Sequence, residues 1–590
     1  AYLVRRLLEN SSSQSFQRMN LTRTLAAGQL LASPHGDDPA AETAPRPRVG
    51  EGSVEPAGAR TLPRFRNEPL HRFTDPSERS AFHGALLAAR TALGGDYPLL
   101  IDGKAVGTKE QLLSVNPARP DEVIGRVARA GTEQADRALS GALRAFADWS
   151  RRAAGERAHL LLCAAKALRR QRDEFAALEI FEAGKTWLEA DANVAEAIDY
   201  LEYYAREALR WEQPRCHDVP GEENVYRYAP RGVGAIISPW NFPFAILTGM
   251  LSAAIAAGNT VVLKPSSQTP VIAARFVRLL QEAGVPPGVV QYLPGAGGTL
   301  GEYLVRHPQV AFIAFTGSEE VGRRILRLAA DVGPGQSHVK QVIAEMGGKN
   351  AIIIDNDADL DEAVTGVVQS AFGYQGQKCS ACSRVIVLQQ AYDRFLERLL
   401  AATRSVRIGM PETPAVFMGP LIDAGAKARV LDAIERGRAE GAELALAMPC
   451  PDVGGGYFVG PAIFTDVVPD SYLAQTEIFG PVLAVMRVAD LDAAIRVANQ
   501  TPYALTGGIY SRSPSHILQA TRELQVGNLY INRKITGAWV ERQPFGGFKM
   551  SGVGSKAGGP DYLLQFMIPR TVTENTLRRG FAPAGREAPG

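Results

Sequence analysis

Residues 372–384 read FGYQGQKCSACSR and set a cysteine among glycines and small polar residues, directly before the apolar run Val385–Leu388. A short apolar run of that kind reads as a buried strand. Cys379 therefore stands in an irregular segment at a strand edge, where a substrate can approach. A free cysteine is ordinarily a small buried hydrophobe, and Cys379 departs from that reading only through partners elsewhere in the chain. A cysteine nucleophile needs a base, an oxyanion donor and an acceptor for what leaves. The base candidate is Glu345 in AEMGGKN (344–350), where two glycines beside a carboxylate let a ligand or other backbone come close. A lone glutamate is more often a solvated surface charge. The donor candidate is Asn241 in SPWNFP (238–243), just after the apolar run Val233–Ile237. That position is a strand's end, where α/β sites form, although an Asn there is also an ordinary turn residue.

Further segments join these in a fixed order: SPWNFP (238–243), VLKPS (262–266), FTGS (315–318), EMGGKN (345–350), GQKCSACSR (376–384), EIFGP (477–481) and PFGGFKMSG (544–552). Together they resemble the aldehyde dehydrogenase superfamily over roughly residues 67 to 574. The resemblance implies an α/β fold with a variant Rossmann NAD-binding domain, a catalytic α/β domain and a small oligomerisation flap. It implies that Cys379 attacks an aldehyde, and that the Asn241 side chain and the Cys379 backbone N–H hold the oxyanion. Hydride then passes to NAD, and Glu345 activates the water that hydrolyses the thioester.

The 590 residues are enough for more than one domain and a sizeable core. A net charge of +2 with 21% charged residues gives no argument for nucleic acid. Five cysteines without paired CxxC or CxxH patterning argue against a disulfide framework and against a metal site. Cys379 and Cys382 form one CxxC, whose alternative reading is a thioredoxin-like redox pair; nothing around it has that fold's pattern. No run of about 18 apolar residues marks an integral membrane segment, and no secretory signal is visible. A reducing cytoplasm is the simplest compartment.

Along the chain, residues 1–32 open on Arg5, Arg6 and Glu9, about one turn apart on an amphipathic helix. This segment resembles the last helix of a proline dehydrogenase barrel, where paired cations suit a carboxylate and the acid suits an ammonium. By that resemblance the chain is the C-terminal part of a bifunctional proline utilization A protein, its proline dehydrogenase domain lying before it. Residues 33–63, rich in Ala, Pro, Gly and acids, read as a flexible linker. Residues 64–345 are expected to hold a helical region and the NAD-binding domain, 346–535 the catalytic domain, and 536–574 the substrate-anchor loop and C-terminal segment. Residues 575–590 read as a disordered tail. A helical pattern fills Thr132 to Arg210, and apolar runs at 233–237, 260–263, 289–293, 310–315 and 350–354 then alternate with helices, as in a parallel sheet with crossovers. A second α/β unit follows from Cys379 to about Gly480, and the run Asn528–Ile531 fits either core or flap.

A strand–GxGxxG–helix fingerprint is not evident, and the resemblance implies a variant cofactor site instead. Lys264, after the strand at 260–263, is expected on an adenosine ribose hydroxyl. Gly317, Ser318 and Gly322 open a helix whose N-terminus suits a pyrophosphate. Glu477 and Phe479 match residues that hold the nicotinamide ribose and flank its ring, and Trp240 belongs to the same site. Ser267 stands where many relatives carry a ribose-binding Glu, which leaves NAD preferred over NADP but less firmly.

Two local features resemble the glutamate semialdehyde (1-pyrroline-5-carboxylate) dehydrogenases of this superfamily. Ser380 follows the nucleophile, and Gly537-Ala538 precedes QPFGG (543–547). In that resemblance the serine and the Gly-Ala backbone anchor the substrate's α-carboxylate, as free N–H groups can. Phe242 and Phe545 sandwich its aliphatic part, and Glu196 meets its ammonium. A homo-oligomer is expected by the same resemblance. The alternatives are a dehydrogenase of another semialdehyde and a catalytically silent scaffold; the latter would have lost Cys379 or Glu345.

Overall fold

The computed structural model describes residues 62–450 and 454–576. Arg5, Arg6 and Glu9, with the rest of the expected barrel remnant, lie outside the described residues, as do nearly all of the expected linker and the tail from residue 577 onward.

The larger of two compact units comprises Phe65–Leu209 and Pro230–Met567. It contains two main sheets. The first has eight strands, ordered Gly552–Val553, Gln341–Glu345, Val310–Thr316, Val233–Ile237, Thr260–Lys264, Val290–Tyr292, Leu99–Ile101 and Lys104–Val106. The stretch from Gln341–Glu345 to Val290–Tyr292 is parallel, and antiparallel strands close both edges. Val233–Ile237 and Thr260–Lys264 are buried at every residue, as expected of parallel strands covered on both faces. The helix Ala245–Ala256 is apolar on all sides and almost wholly buried against this sheet. Glu319–Ala330 instead turns a charged face outward and buries Gly322, Ile325 and Ala329. The expected helical region resolves into Thr132–Trp149, Ala154–Arg170, Arg172–Ala183 and Trp187–Glu212.

The second sheet has seven strands, ordered Glu443–Ala447, Ala462–Thr465, Val482–Val488, Cys382–Leu388, Asn350–Ile354, Thr506–Tyr510 and Asn528–Ile531. All neighbours are parallel except the first pair. Asn350–Ile354 thus belongs to this sheet and not to the series that begins at Val233. An apolar run carries no label for its sheet; hydrogen bonding to Cys382–Leu388 and Thr506–Tyr510 decides it. Asn528–Ile531 is the edge strand of this sheet, and so is core, not flap.

The described part of the smaller unit, drawn from Arg210–Ala229 and the chain after Ile568, carries a three-stranded sheet ordered Met567–Asn575, Glu222–Pro230, Arg215–Cys216. Among the described residues no helix is long and apolar enough to cross a membrane.

Candidate active site

Four of the expected residues stand at the C-terminal ends of parallel strands in the first sheet. Lys264 and Glu345 are the last residues of theirs, Gly317 follows Val310–Thr316, and Asn241 follows Val233–Ile237. This is where a parallel sheet opens a crevice.

Cys379 lies on the second sheet's side, in the loop before Cys382–Leu388. The approach to it is unusual backbone: Tyr374, Gln375 and Gly376 have φ of 50°, 57° and 69° in succession. For non-glycine residues such a conformation costs on the order of 1–3 kcal/mol each and persists only where the surroundings impose it. Here they do. Tyr374 Oη donates to Ala183 O (3.0 Å), and Gln375 Nε2 to Pro420 O (2.7 Å). Gln375 Oε1 accepts from Gly419 N–H (2.9 Å), and Gln377 Oε1 from Ile422 N–H (3.0 Å). At Gly376 a Cβ would come within 2.4 Å of the Gly480 carbonyl oxygen, so only glycine fits. Further along the loop, Asn350 Nδ2 donates to Cys379 O at 2.7 Å. The cysteine is half-buried. Burial, with the nearby Glu477 and Glu345 carboxyls, pushes its thiol up to about 12. Cys382 is a core residue, 1% exposed, inside its strand.

Glu345 faces the same space. Its Oε2 accepts the Gly547 N–H at 3.4 Å. Burial pushes its pKa up to about 8, opposed by that hydrogen bond and by the charge of Lys556. A Cβ at Gly546 would come within 2.9 Å of Glu345 Oε1, so the glycines of PFGGFKMSG form the wall against the carboxylate. Asn241, 5% exposed, donates from Nδ2 to Gln377 O at 3.1 Å. An amide nitrogen has two N–H donors, so one remains for an oxyanion beside Cys379.

The expected cofactor residues form a second group. Lys264 Nζ donates to Pro265 O at 3.0 Å, and burial lowers its pKa to about 8. Beside it lies Gly301, the last residue of a short π-helix (Gly297–Gly301) whose Gly297 and Gly298 face open space. Ser267 Oγ donates to Gly295 O at 3.4 Å. Ser318 caps the helix Glu319–Ala330, accepting from Val321 N–H at 3.4 Å. The glycines Gly317 and Gly322 also have a packing reason. A Cβ at Gly317 would strike the Phe315 ring at 2.5 Å, and one at Gly322 would strike Met346 Sδ at 2.4 Å. They make room for the Phe315 and Met346 side chains. Glu477 Oε1 accepts the Gly348 N–H at 2.8 Å, and burial pushes its pKa up to about 7. Phe479, at φ 59°, meets the Trp240 ring edge-on at 5.5 Å. Backbone N–H groups at a helix start, a buried lysine and a buried carboxyl are the donors and acceptors that a dinucleotide's phosphates and sugar hydroxyls require, so the residues present fit NAD.

On the substrate side, the Phe242 ring packs edge-on against Tyr374 at 6.2 Å. Ser380 is buried, and its N–H, with that of Cys379, acts against the upward push of burial on the Cys379 thiol. Phe545 and Ala557 exchange backbone hydrogen bonds of 2.9 and 2.7 Å. Gly537 has φ 73° and lies by the Lys534 side chain, which feels Lys378 and Glu189; Ala538 follows it.

Burial and the charge of Asp199 push the pKa of Glu196 up to about 7, with the Tyr200 hydroxyl acting against them. Glu189, two turns earlier on the same helix, reaches the residue before Cys379: its Oε1 lies 2.6 Å from Lys378 Nζ. Lys185, fully buried, sits 4.1 Å from the Phe242 ring centre and 4.0 Å from that of Tyr374. Sequence reasoning missed Glu189, Lys378 and Lys185. Position next to Cys379 was a usable signal for Lys378; the other two lie nearly two hundred residues away and carry none.

Comparison with known proteins agrees with this geometry. The aldehyde dehydrogenase family pattern matches residues 105–572. The chain is 50% identical over 511 residues to a 1-pyrroline-5-carboxylate dehydrogenase of Geobacillus kaustophilus (strain HTA426), covering 86% of this chain and 99% of that one. A crystal structure of 1-pyrroline-5-carboxylate dehydrogenase from Thermus with bound NAD superposes with a TM-score of 0.86 at 48% identity, over 87% of this chain and 100% of that one. Proline utilization A (PutA) from Bdellovibrio bacteriovorus, inactivated by N-propargylglycine, gives a TM-score of 0.86 at 48% identity and covers 99% of this chain but 59% of its own. With the family pattern matched over most of its length and half the aligned residues shared with a curated member, this chain belongs to the aldehyde dehydrogenase family.

Proposed function

We propose that the protein oxidises L-glutamate γ-semialdehyde, the open form of 1-pyrroline-5-carboxylate, to L-glutamate with NAD. The observation that carries this reading is the half-buried Cys379 facing the Glu345 and Glu477 carboxyls, with the Asn241 amide beside its loop. The relatives named above support the substrate and the cofactor.

The thiolate of Cys379 is the reacting form, and burial makes it a minor species in the substrate-free protein. Its sulfur adds to the aldehyde carbon, and the carbonyl oxygen becomes an oxyanion held by Asn241 Nδ2 and the Cys379 N–H. NAD, when bound, supplies the acceptor for the hydride that leaves this carbon, and the carbon is left as a thioester on Cys379. Glu345 then takes a proton from water. The resulting hydroxide adds to the thioester, the C–S bond breaks, and carboxylate and free Cys379 result. Ser380 and the Gly537-Ala538 backbone anchor the substrate's α-carboxylate, and Phe242 and Phe545 enclose its methylenes. Trp240, Lys264, Ser267, Gly317, Ser318, Gly322, Glu477 and Phe479 hold the cofactor.

The likeness to PutA supports a proline dehydrogenase partner as the source of the pyrroline. The test is NADH formation with 1-pyrroline-5-carboxylate, succinate semialdehyde and proline, with Cys379→Ala as control. Turnover of the pyrroline compound that disappears in the variant is expected. Preference for succinate semialdehyde would keep the chemistry and discard the substrate anchor.

A further inference from the structure

Lys556 has no part in the mechanism above, yet it is tied to the same loop as the base. Its Nζ donates to Gly527 O (2.5 Å), Asn528 Oδ1 (2.8 Å) and Gly546 O (3.2 Å), with Pro544 O at 3.5 Å. Asn528 supports the same loop, with Nδ2 donating to Pro544 O at 3.0 Å and Oδ1 accepting the Gly546 N–H at 3.4 Å. The Gly546–Gly547 peptide is therefore gripped at both ends. Its carbonyl oxygen accepts from the Lys556 ammonium, and its N–H donates to Glu345 Oε2 at 3.4 Å. A hydrogen bond at one end of a peptide polarises the group and strengthens the donor at the other. The backbone exchange between Phe545 and Ala557 keeps Lys556 in register with this loop.

We propose that Lys556 is a positioning residue for thioester hydrolysis, holding the Gly546–Gly547 peptide so that its N–H orients and stabilises the Glu345 carboxylate. The proposal rests on the reading of Glu345 as the hydrolytic base. The titratable groups that face Glu345 are Lys556, the Cys379 thiol and the Tyr562 phenol. Lys556 is the one cation among them, and its charge opposes the upward push of burial on the carboxyl. Its own pKa is lowered by burial, with the Glu345 charge acting against that.

The test compares Lys556→Met, Lys556→Arg and Glu345→Gln with the native protein. The first turnover of NADH and the steady-state rate are followed from about pH 6 to about pH 10, to bracket the base. In Lys556→Met the first turnover should persist. The rising limb of the steady-state rate should move up by about one pH unit, as expected on loss of a nearby opposite charge. Below the limb this is about a tenfold fall in rate. Lys556→Arg should keep the native limb. Should Lys556→Met fail to fold, Lys556→Gln takes its place and must show the same shift. A native limb in the folded neutral variant would overturn the proposal, since a merely structural lysine would change stability and not the limb. Steady turnover by Glu345→Gln would overturn the base reading itself, and the proposal with it, a result distinguishable from an unmoved limb.

Discussion

Lys378 Nζ lies 2.6 Å from Glu189 Oε1, joining the residue before Cys379 to the helix Trp187–Glu212. The lysine side chain is 7% exposed and the glutamate 23%. Removing one partner of a buried pair costs on the order of 3 kcal/mol or more, because the other charge is left unpaired. Lys378→Met should therefore lower the melting temperature and kcat/KM together. Adding Glu189→Gln should recover much of the stability, and thermal unfolding of the single and double variants measures this coupling.

The two cysteines of the CxxC differ in setting. Cys379→Ala should abolish dehydrogenation while NAD binding persists. Cys382→Ala, within its strand, should keep turnover and lose about 1 kcal/mol or slightly more from the small cavity. Kinetics and NAD titration separate the two; the reverse pattern would move the nucleophile to Cys382.

Glu345 has a folded pKa of about 8 against an ordinary value of 4.5. The folded protein thus holds a proton that the unfolded chain has released, so this carboxyl lowers stability as pH rises from the ordinary value through about 8. Glu345→Gln should stabilise the protein at alkaline pH and much less at acid pH. The same substitution should accumulate acyl-enzyme after one turnover, visible by intact-mass measurement.

Gly376 has φ 69°, and a Cβ there would meet the Gly480 carbonyl at 2.4 Å. Gly376→Ala combines left-handed strain of about 1 kcal/mol with a backbone clash. It should destabilise the protein by several times that amount and displace Cys379, so that kcat falls further than stability alone explains. Circular dichroism beside kinetics of the folded fraction checks it.

Much of the candidate site's setting was legible in the sequence. Cys379, Glu345 and Asn241 sit in short glycine-rich or turn-forming segments beside apolar runs, and those runs became strands where they were read. Val233–Ile237 matched at both ends, while the strand expected at 260–263 continues through Lys264. What was not legible involved distant partners. The assignment of Asn350–Ile354 and Asn528–Ile531 to one sheet depends on hydrogen bonds to strands far along the chain.

The sequence by itself determined the family, the nucleophile and base candidates and the α/β alternation, because these are local patterns of glycine, apolar runs and reactive side chains. Only the tertiary structure decided that Glu189 pairs with Lys378 beside Cys379, that Met346 and Phe315 fill the space left by Gly322 and Gly317, and that Lys556 and Glu345 share one peptide. The physical reason is that hydrogen bonds and charges act over a few ångströms in space, and a fold brings together groups that no spacing along the chain relates.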